Sequence, residues 1–271
     1  MILHRFTLPD GRTLAWRETG SGPTLVLLHG WSLSGVAFSE LAVHLAGFRL
    51  LLPDLPGHGG SSPAPSPSLT TLANDLAAWL AATAPGHVLL GGWSLGGMLA
   101  MELAVRLAVP VERLLLIGTT PRFAASADWP HGLPATQVRA LARNLKRRFT
   151  ATLGEFFALS FGPKEVDAAR LRTIRAFAIQ PAGLPDPASA AALLALLESQ
   201  DQRHLPAAIT CPTLVIHGAD DRIVPVGAGR ALAALLPQGR LCEFAATGHA
   251  PHWTRLQETA AAIREFCAWG R

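Results

Sequence analysis

The tightest constraint on this chain is an apolar run, Val88–Gly91, that passes directly into Gly92-Trp93-Ser94-Leu95-Gly96 and then into a helix-forming stretch, Leu95–Leu107. A strand that turns into a helix within one residue puts the residue at the turn in a strained conformation. Small flanking residues are then needed for the two chain directions to pack closely. Gly91 and Gly97 widen the space further. Such a strand–turn–helix unit belongs in a parallel sheet covered by helices, and the rest of the chain has the matching rhythm.

Eight runs read as strands: Leu3–Leu8, Thr13–Glu18, Thr24–Leu28, Arg49–Leu52, Val88–Gly91, Arg113–Ile117, Thr213–His217 and Leu241–Phe244. Asp10-Gly11 between the first two signals a hairpin. The later runs are almost continuously apolar, which suits strands buried on both faces. Helices are expected over Leu72–Ala82, after a Ser/Thr cap region at Ser68–Thr71, over Leu95–Leu107, and over Thr254–Trp269. Residues 121–188 are too many for a bare connection between strands six and seven. They are expected to form a helical cap over the C-terminal edge of the sheet, where ligands bind in such folds. Residues 1–120 and 189–271 would form the core.

Composition narrows the classes. With 49% hydrophobic and 15% charged residues, the chain suits one packed α/β domain rather than a disordered one. No stretch of 18 apolar residues offers a membrane span, and the first ten residues do not read as a signal peptide. The three cysteines, Cys211, Cys242 and Cys267, are scattered and fit neither a disulfide framework nor a zinc site. No His/carboxylate pair has metal-ligand spacing, and the glycine-rich turns lack phosphate-binding patterns, so no metal and no cofactor are expected. A net charge of +4 over 271 residues argues only weakly for a nucleic-acid partner, and neither nucleic acid nor membrane is expected as one. A cytoplasmic location is the expectation.

The motifs point to acyl transfer. Ser94 is the candidate nucleophile. A rival copy, Gly30-Trp31-Ser32-Leu33-Ser34, repeats four of the five residues, but it follows only the third strand. In this arrangement the loop after the third strand gives an N–H to the oxyanion hole, so Trp31 and the residue after the nucleophile, Leu95, are the candidate donors. The expected order is serine, acid, histidine. Of ten histidines, only His249 and His252 follow strand eight, and His249 is favoured because it lies on the loop beside Gly248. The acid should follow strand seven, where Asp220 and Asp221 are adjacent. Neighbours in an extended loop point apart, and Asp221 is the candidate. Asp54–Ser61, with His58, reads as a structural loop.

Taken together, H-G-W at His29–Trp31, D-L-P-G-H-G at Asp54–Gly59, G-W-S-L-G-G at Gly92–Gly97, Gly218–Pro225 and G-H-A-P at Gly248–Pro251 resemble the α/β-hydrolase superfamily across nearly the whole chain. A narrower resemblance is to the pimeloyl-acyl-carrier-protein methyl ester esterases of biotin synthesis. It rests on Gly92–Gly97, on Gly118–Phe123 followed by Asp128-Trp129-Pro130, and on Phe156-Phe157-Ala158-Leu159. The resemblance implies an α/β-hydrolase fold, a cap, a Ser94–His249–Asp221 triad and carboxylesterase activity. The family's acid stands three residues after the glycine, at Asp221. Its substrate contacts fall on Trp31, Ser94, Leu95, His249 and on Phe156, Phe157, Ala158, Leu159 and Ser160. It also holds an acidic carrier protein with cap arginines, and this chain has Ala151 and Glu155 near Phe156 instead.

Residues 121–186 nonetheless hold ten basic and five acidic side chains, while the remainder is nearly balanced. A solvated helical face and a dock for an acidic acyl-carrier protein both fit that excess. Other uses of the same triad stay open: short-chain ester, enol-lactone or C–C hydrolysis, or a lipase with the cap as lid. So does a non-catalytic receptor on the same fold.

Overall fold

The computed structural model describes residues 1–106, 110–179 and 183–268. All eight expected strands are present in one sheet: β1 Ile2–Thr7, β2 Thr13–Thr19, β3 Thr24–Leu28, β4 Arg49–Pro53, β5 Val88–Trp93, β6 Val111–Ile117, β7 Thr213–Gly218 and β8 Gly239–Phe244. Their spatial order is β1-β2-β4-β3-β5-β6-β7-β8. The hairpin at Asp10-Gly11 pairs β1 with β2, and β2 runs antiparallel to β4. All other neighbours are parallel.

The apolar runs are two-sided because the sheet is covered twice. In β3, Leu25 and Leu27 enter a core with Leu41 of α1 (Ser39–Val43) and Ile263 of α10 (Leu256–Ala268). Val26 and Leu28 enter the opposite core, with Trp79 of α2 (Leu69–Thr83), Leu99 of α3 (Leu95–Arg106) and Leu232 of α8 (Val226–Leu235). That alternation is the two-residue period of a strand serving two helical layers. β8 departs from the expected burial on both faces. It is an edge strand, and Leu241 stays 38% exposed.

The helices depart from expectation mainly at their ends. α2 starts three residues earlier, where Ser68 accepts the Thr71 N–H and the Thr71 hydroxyl accepts the Ser68 N–H in a reciprocal cap. The expected terminal helix is two pieces, α9 (Pro251–Thr254) and α10, broken at non-helical Arg255. Leu107 and Trp269, the expected ends of two helices, lie outside the described residues. Between β6 and β7 the chain forms α4 (Ala135–Arg147), α5 (Phe149–Ala158), α6 (Ala168–Ala178) and α7 (Pro187–Ser199). The expected boundary at residue 188 falls within the first turn of α7, which Asp186 caps by accepting the Ala188 and Ser189 N–H groups.

Candidate active site

Ser94 sits at φ +55°, between the end of β5 and the start of α3. Its N–H donates to Ile117 O at 2.9 Å, and its carbonyl accepts from Gly97 N (2.9 Å) and the Thr119 hydroxyl (2.7 Å). The flanking glycines are steric requirements. A Cβ at residue 92 would lie 2.1 Å from Gly96 O, and one at residue 96 would lie 2.1 Å from Leu28 O. Holding a non-glycine residue in the left-handed region costs about 1 kcal/mol or more, so the surrounding packing must impose it. Ser94 remains half-buried and lines a pocket.

His249 and Asp221 meet from two loops. His249 Nδ1 and Asp221 Oδ2 are 2.7 Å apart. With Nδ1–H donating to the carboxylate, Nε2 is left as the basic nitrogen. Asp221 Oδ1 accepts the Ile223 and Val224 N–H groups, each at 2.8 Å. Burial opposes ionisation of this carboxyl, but interactions with His249 and His217 outweigh it and hold Asp221 below the usual carboxylate range. Asp220 is exposed, and only its backbone N–H reaches inward, to Thr247 O. His252, the rival base, is buried among Phe38, Trp93 and Trp253. Neither of its ring nitrogens has a partner among the described residues. Desolvation pushes its pKa well down, so it is a neutral packing residue.

His249 is supported on three further sides. Its N–H donates to Ser160 O (2.8 Å), its carbonyl accepts from Trp93 Nε1 (2.9 Å), and Gly118, at φ +50°, leaves space beside its ring.

The candidate oxyanion donors lie at the ends of β3 and β5. Neither the Trp31 nor the Leu95 backbone N–H donates to a backbone carbonyl among the described residues. The loop around Trp31 is held by two buried histidines. His29 Nε2 accepts the Leu55 N–H at 2.8 Å, with Nδ1 against Gly30 O; His58 Nε2 accepts the Ser32 N–H at 3.2 Å, with Nδ1 against Pro56 O. Burial lowers their pKa values to about 4 and about 3, so both stay neutral acceptors at neutral pH. His58 thus has the structural role its loop suggested, bracing the loop after β3 that carries Trp31.

The rival Ser32 also adopts a left-handed conformation, φ +67°, and lines the same pocket. It differs from Ser94 in having no helix directly behind it: the next element is a single 3₁₀ turn, Gly35–Phe38. Ser94 stands at the head of the 12-residue α3.

One pocket gathers most of the candidate substrate residues. Trp31, Ser94, Phe156, Phe157, Ser160 and His249 line it, along with Gly30, Ser32, Leu33 and Trp93. Three candidates are not on this wall: Leu95 is buried at the start of α3, Ala158 is exposed, and Leu159 packs against the core. The open space is about 10 Å³, room for about one water. The Trp31 indole is fixed by Nε1–H donation to Ala190 O of α7 and by an edge-on contact with Phe156.

Sequence reasoning missed two supporting residues. His217, at the end of β7, places Nε2 2.8 Å from Val224 O and 3.3 Å from Asp221 Oδ2. A histidine closing an apolar strand four residues before the acid was the available signal. Glu165, described below, gave none. Among the described residues no group of His, Cys, Asp and Glu is arranged to hold a metal, and no helix is long and apolar enough to cross a membrane.

This fold and site define an α/β hydrolase, and residues 23–256 match the family model for the alpha/beta hydrolase fold. A pimeloyl-[acyl-carrier protein] methyl ester esterase of Chromobacterium violaceum is 39% identical over 91% of this chain and 94% of its own length. A protein of the same name from Nitrosomonas europaea is 37% identical over 86% and 91%. The chain belongs to the α/β-hydrolase family and, within it, to the family of these esterases. Among solved structures, an esterase from Exiguobacterium antarcticum superposes with a TM-score of 0.88 at 24% identity, covering 97% of this chain and 98% of that one. A thermophilic esterase from Thermogutta terrifontis gives 0.81 at 26%, covering 98% of each.

Proposed function

We propose that this chain is a serine carboxylesterase that hydrolyses the methyl ester of a pimeloyl chain carried on acyl-carrier protein, a step of biotin synthesis in the cytoplasm. The observation that carries the chemistry is the 2.7 Å pair of His249 and Asp221, in a site where Ser94 and His249 line one pocket. Ser94 Oγ attacks the ester carbonyl while His249 Nε2 takes its proton. The oxyanion develops against the Trp31 and Leu95 N–H groups. His249 returns the proton to the leaving oxygen, and methanol departs. A water, deprotonated by His249, then cleaves the acyl-enzyme to a free carboxylate and Ser94. Asp221 holds the Nδ1–H tautomer and stabilises the imidazolium without taking the proton.

The acyl chain runs between Trp31 and the α5 phenylalanines, Phe156 and Phe157. The space there is about 10 Å³, so the Trp31 and Phe156 rings, which meet edge-on, part to admit a chain. On this reading residues 121–188 form the cap, built mainly of α4, α5 and α6, and its charge supports the carrier-protein partner. Among the described residues, three of the ten basic side chains of residues 121–186 pair with carboxylates: Arg122 with Asp201, Arg148 with Glu155 and Arg170 with Glu40. Arg139, Arg143, Lys146 and Arg147 project from one helix, α4, and all four are exposed. None has a carboxylate within salt-bridge distance among the described residues. A positive roof over the site raises the encounter rate with an acidic protein.

The test is methanol release from pimeloyl-carrier-protein methyl ester, set against the free methyl ester of the same acyl group, an enol-lactone and a C–C cleavage substrate. Faster release from the carrier-bound ester than from the free ester supports both parts of the reading. Equal rates remove the carrier protein, and preference for the lactone or the C–C substrate removes the ester.

A further inference from the structure

We propose that Glu165 is a positioning residue for the base. Its carboxylate fastens the loop carrying His249 to the segment after α5, so that the wall of the acyl pocket and the imidazole are held as one piece. The proposal rests on the hydrolase reading above.

Four observations converge on it. Glu165 Oε2 accepts two backbone N–H groups from different parts of the chain: Gly162, at 2.6 Å, and Gly248, the residue before His249, at 2.9 Å. Hydrogen bonds to a carboxylate are about twice as strong as neutral ones, so this one oxygen is an effective tie. Beside it, the His249 N–H donates to Ser160 O at 2.8 Å, and Ser160 lines the pocket with Phe156 and Phe157. The segments touch backbone to backbone. A Cβ at residue 248 would lie 2.5 Å from Ser160 O, 2.7 Å from Gly162 N and 2.9 Å from Glu165 Oε2. Finally, the turn that aims Glu165 back is strained. Glu165 N–H donates to Gly162 O, and Lys164 sits at φ +61°. Non-glycine residues persist there only where the surroundings demand it.

The consequence is a division of labour around His249. Asp221 fixes the ring, Trp93 holds its carbonyl, and Glu165 with Ser160 holds the backbone at Gly248 and His249. Removing the carboxylate frees Gly248 and lets His249 drift relative to Ser94. A displacement of about 1 Å at a catalytic group costs up to about 100-fold in rate without weakening substrate binding.

The experiment compares the parent with Glu165→Ala, Glu165→Asp and Glu165→Gln. Three quantities are measured for each: kcat and KM on a small neutral p-nitrophenyl ester, the rate of Ser94 labelling by a fluorophosphonate, and Tm. Glu165→Ala should lower kcat and the labelling rate together, by about 10- to 100-fold, with KM nearly unchanged. Glu165→Asp keeps the charge but lacks one methylene of reach, and should resemble Glu165→Ala. Glu165→Gln keeps an acceptor oxygen at the same reach and should recover most of the rate. If Glu165→Ala does not fold, the Asp and Gln pair carries the test alone. Parent-like kcat in Glu165→Asp, or a lower Tm with kcat unchanged, makes Glu165 a mere staple and overturns the proposal. A parent that neither hydrolyses esters nor takes the label overturns the hydrolase reading itself.

Discussion

Lowering the pH from 7.5 to 5 should unfold much of this protein's stability margin through three histidines. His29, His58 and His252 are fully buried, with pKa values pushed down by desolvation, to about 4 for His29, about 3 for His58 and well down for His252. In the unfolded chain each has an ordinary pKa near 6.5. Their folded values are depressed, so their stabilisation is present above about pH 6.5 and is lost as pH falls toward the folded values. Over that window each costs about 1.4 kcal/mol per pH unit. At pH 5 the loss is about 2 kcal/mol each for His29 and His58, about 4 kcal/mol for the two, and His252 adds to it in the same direction. That is comparable with the whole stability of an ordinary domain, about 5–15 kcal/mol. For a chain of this size it corresponds to a fall in Tm on the order of 10 °C. Equilibrium urea unfolding at pH 7.5, 6 and 5 measures it. His252→Phe is the control, because a phenyl ring replaces an imidazole that makes no hydrogen bond in the described structure and lies among Phe38, Trp93 and Trp253. The variant should show a shallower pH slope than the parent, because the ring that resists protonation is gone. Stability unchanged between pH 7.5 and 5, or a slope that His252→Phe leaves alone, would mean that the buried histidines do not set the acid sensitivity.

Asp221→Asn should cost about 10⁴-fold in kcat, because an asparagine supports the wrong tautomer of His249. Asp220→Asn should cost little, since only the backbone of that exposed residue is engaged; steady-state kinetics on a p-nitrophenyl ester separates the two, and equal losses would dissolve the distinction. Reversing Arg143, Lys146 and Arg147 together should slow turnover of a carrier-protein-bound ester at low salt and leave a small neutral ester untouched, with the difference fading as ionic strength rises. Parent-like rates on both substrates would reduce the α4 cluster to a solvated face.

The sheet was legible because its signals are local. Unbroken runs such as Leu25–Leu28 and Leu114–Ile117 have no other use than strands covered twice, and glycine at 92 and 96 is demanded by contacts of 2.1 Å with neighbouring backbone. Favouring His249 over His252 needed only its place on the loop beside Gly248, whereas Asp221 over Asp220 leaned on the resemblance, in which the acid stands three residues after the glycine. The supports of the site were harder to read because they depend on pairs far apart in sequence. His58 reaches Ser32 across 26 residues, and Glu165 reaches Gly248 across 83. A buried histidine accepting a backbone N–H looks, in sequence, like any other histidine in a turn. The near-filled pocket was equally invisible, since it depends on how Phe156 and Trp31 meet edge to edge.

The repeated Gly-Trp-Ser-Leu makes the identity of the nucleophile directly testable. Both serines are left-handed and both line the same pocket, yet only Ser94 heads a long helix. Intact protein treated with a fluorophosphonate, then digested and mapped by tandem mass spectrometry, reports which hydroxyl is activated. A stoichiometric adduct is expected on Ser94, lost in Ser94→Ala and His249→Ala and retained in Ser32→Ala. An adduct on Ser32, or labelling that survives Ser94→Ala, would contradict Ser94 as the nucleophile.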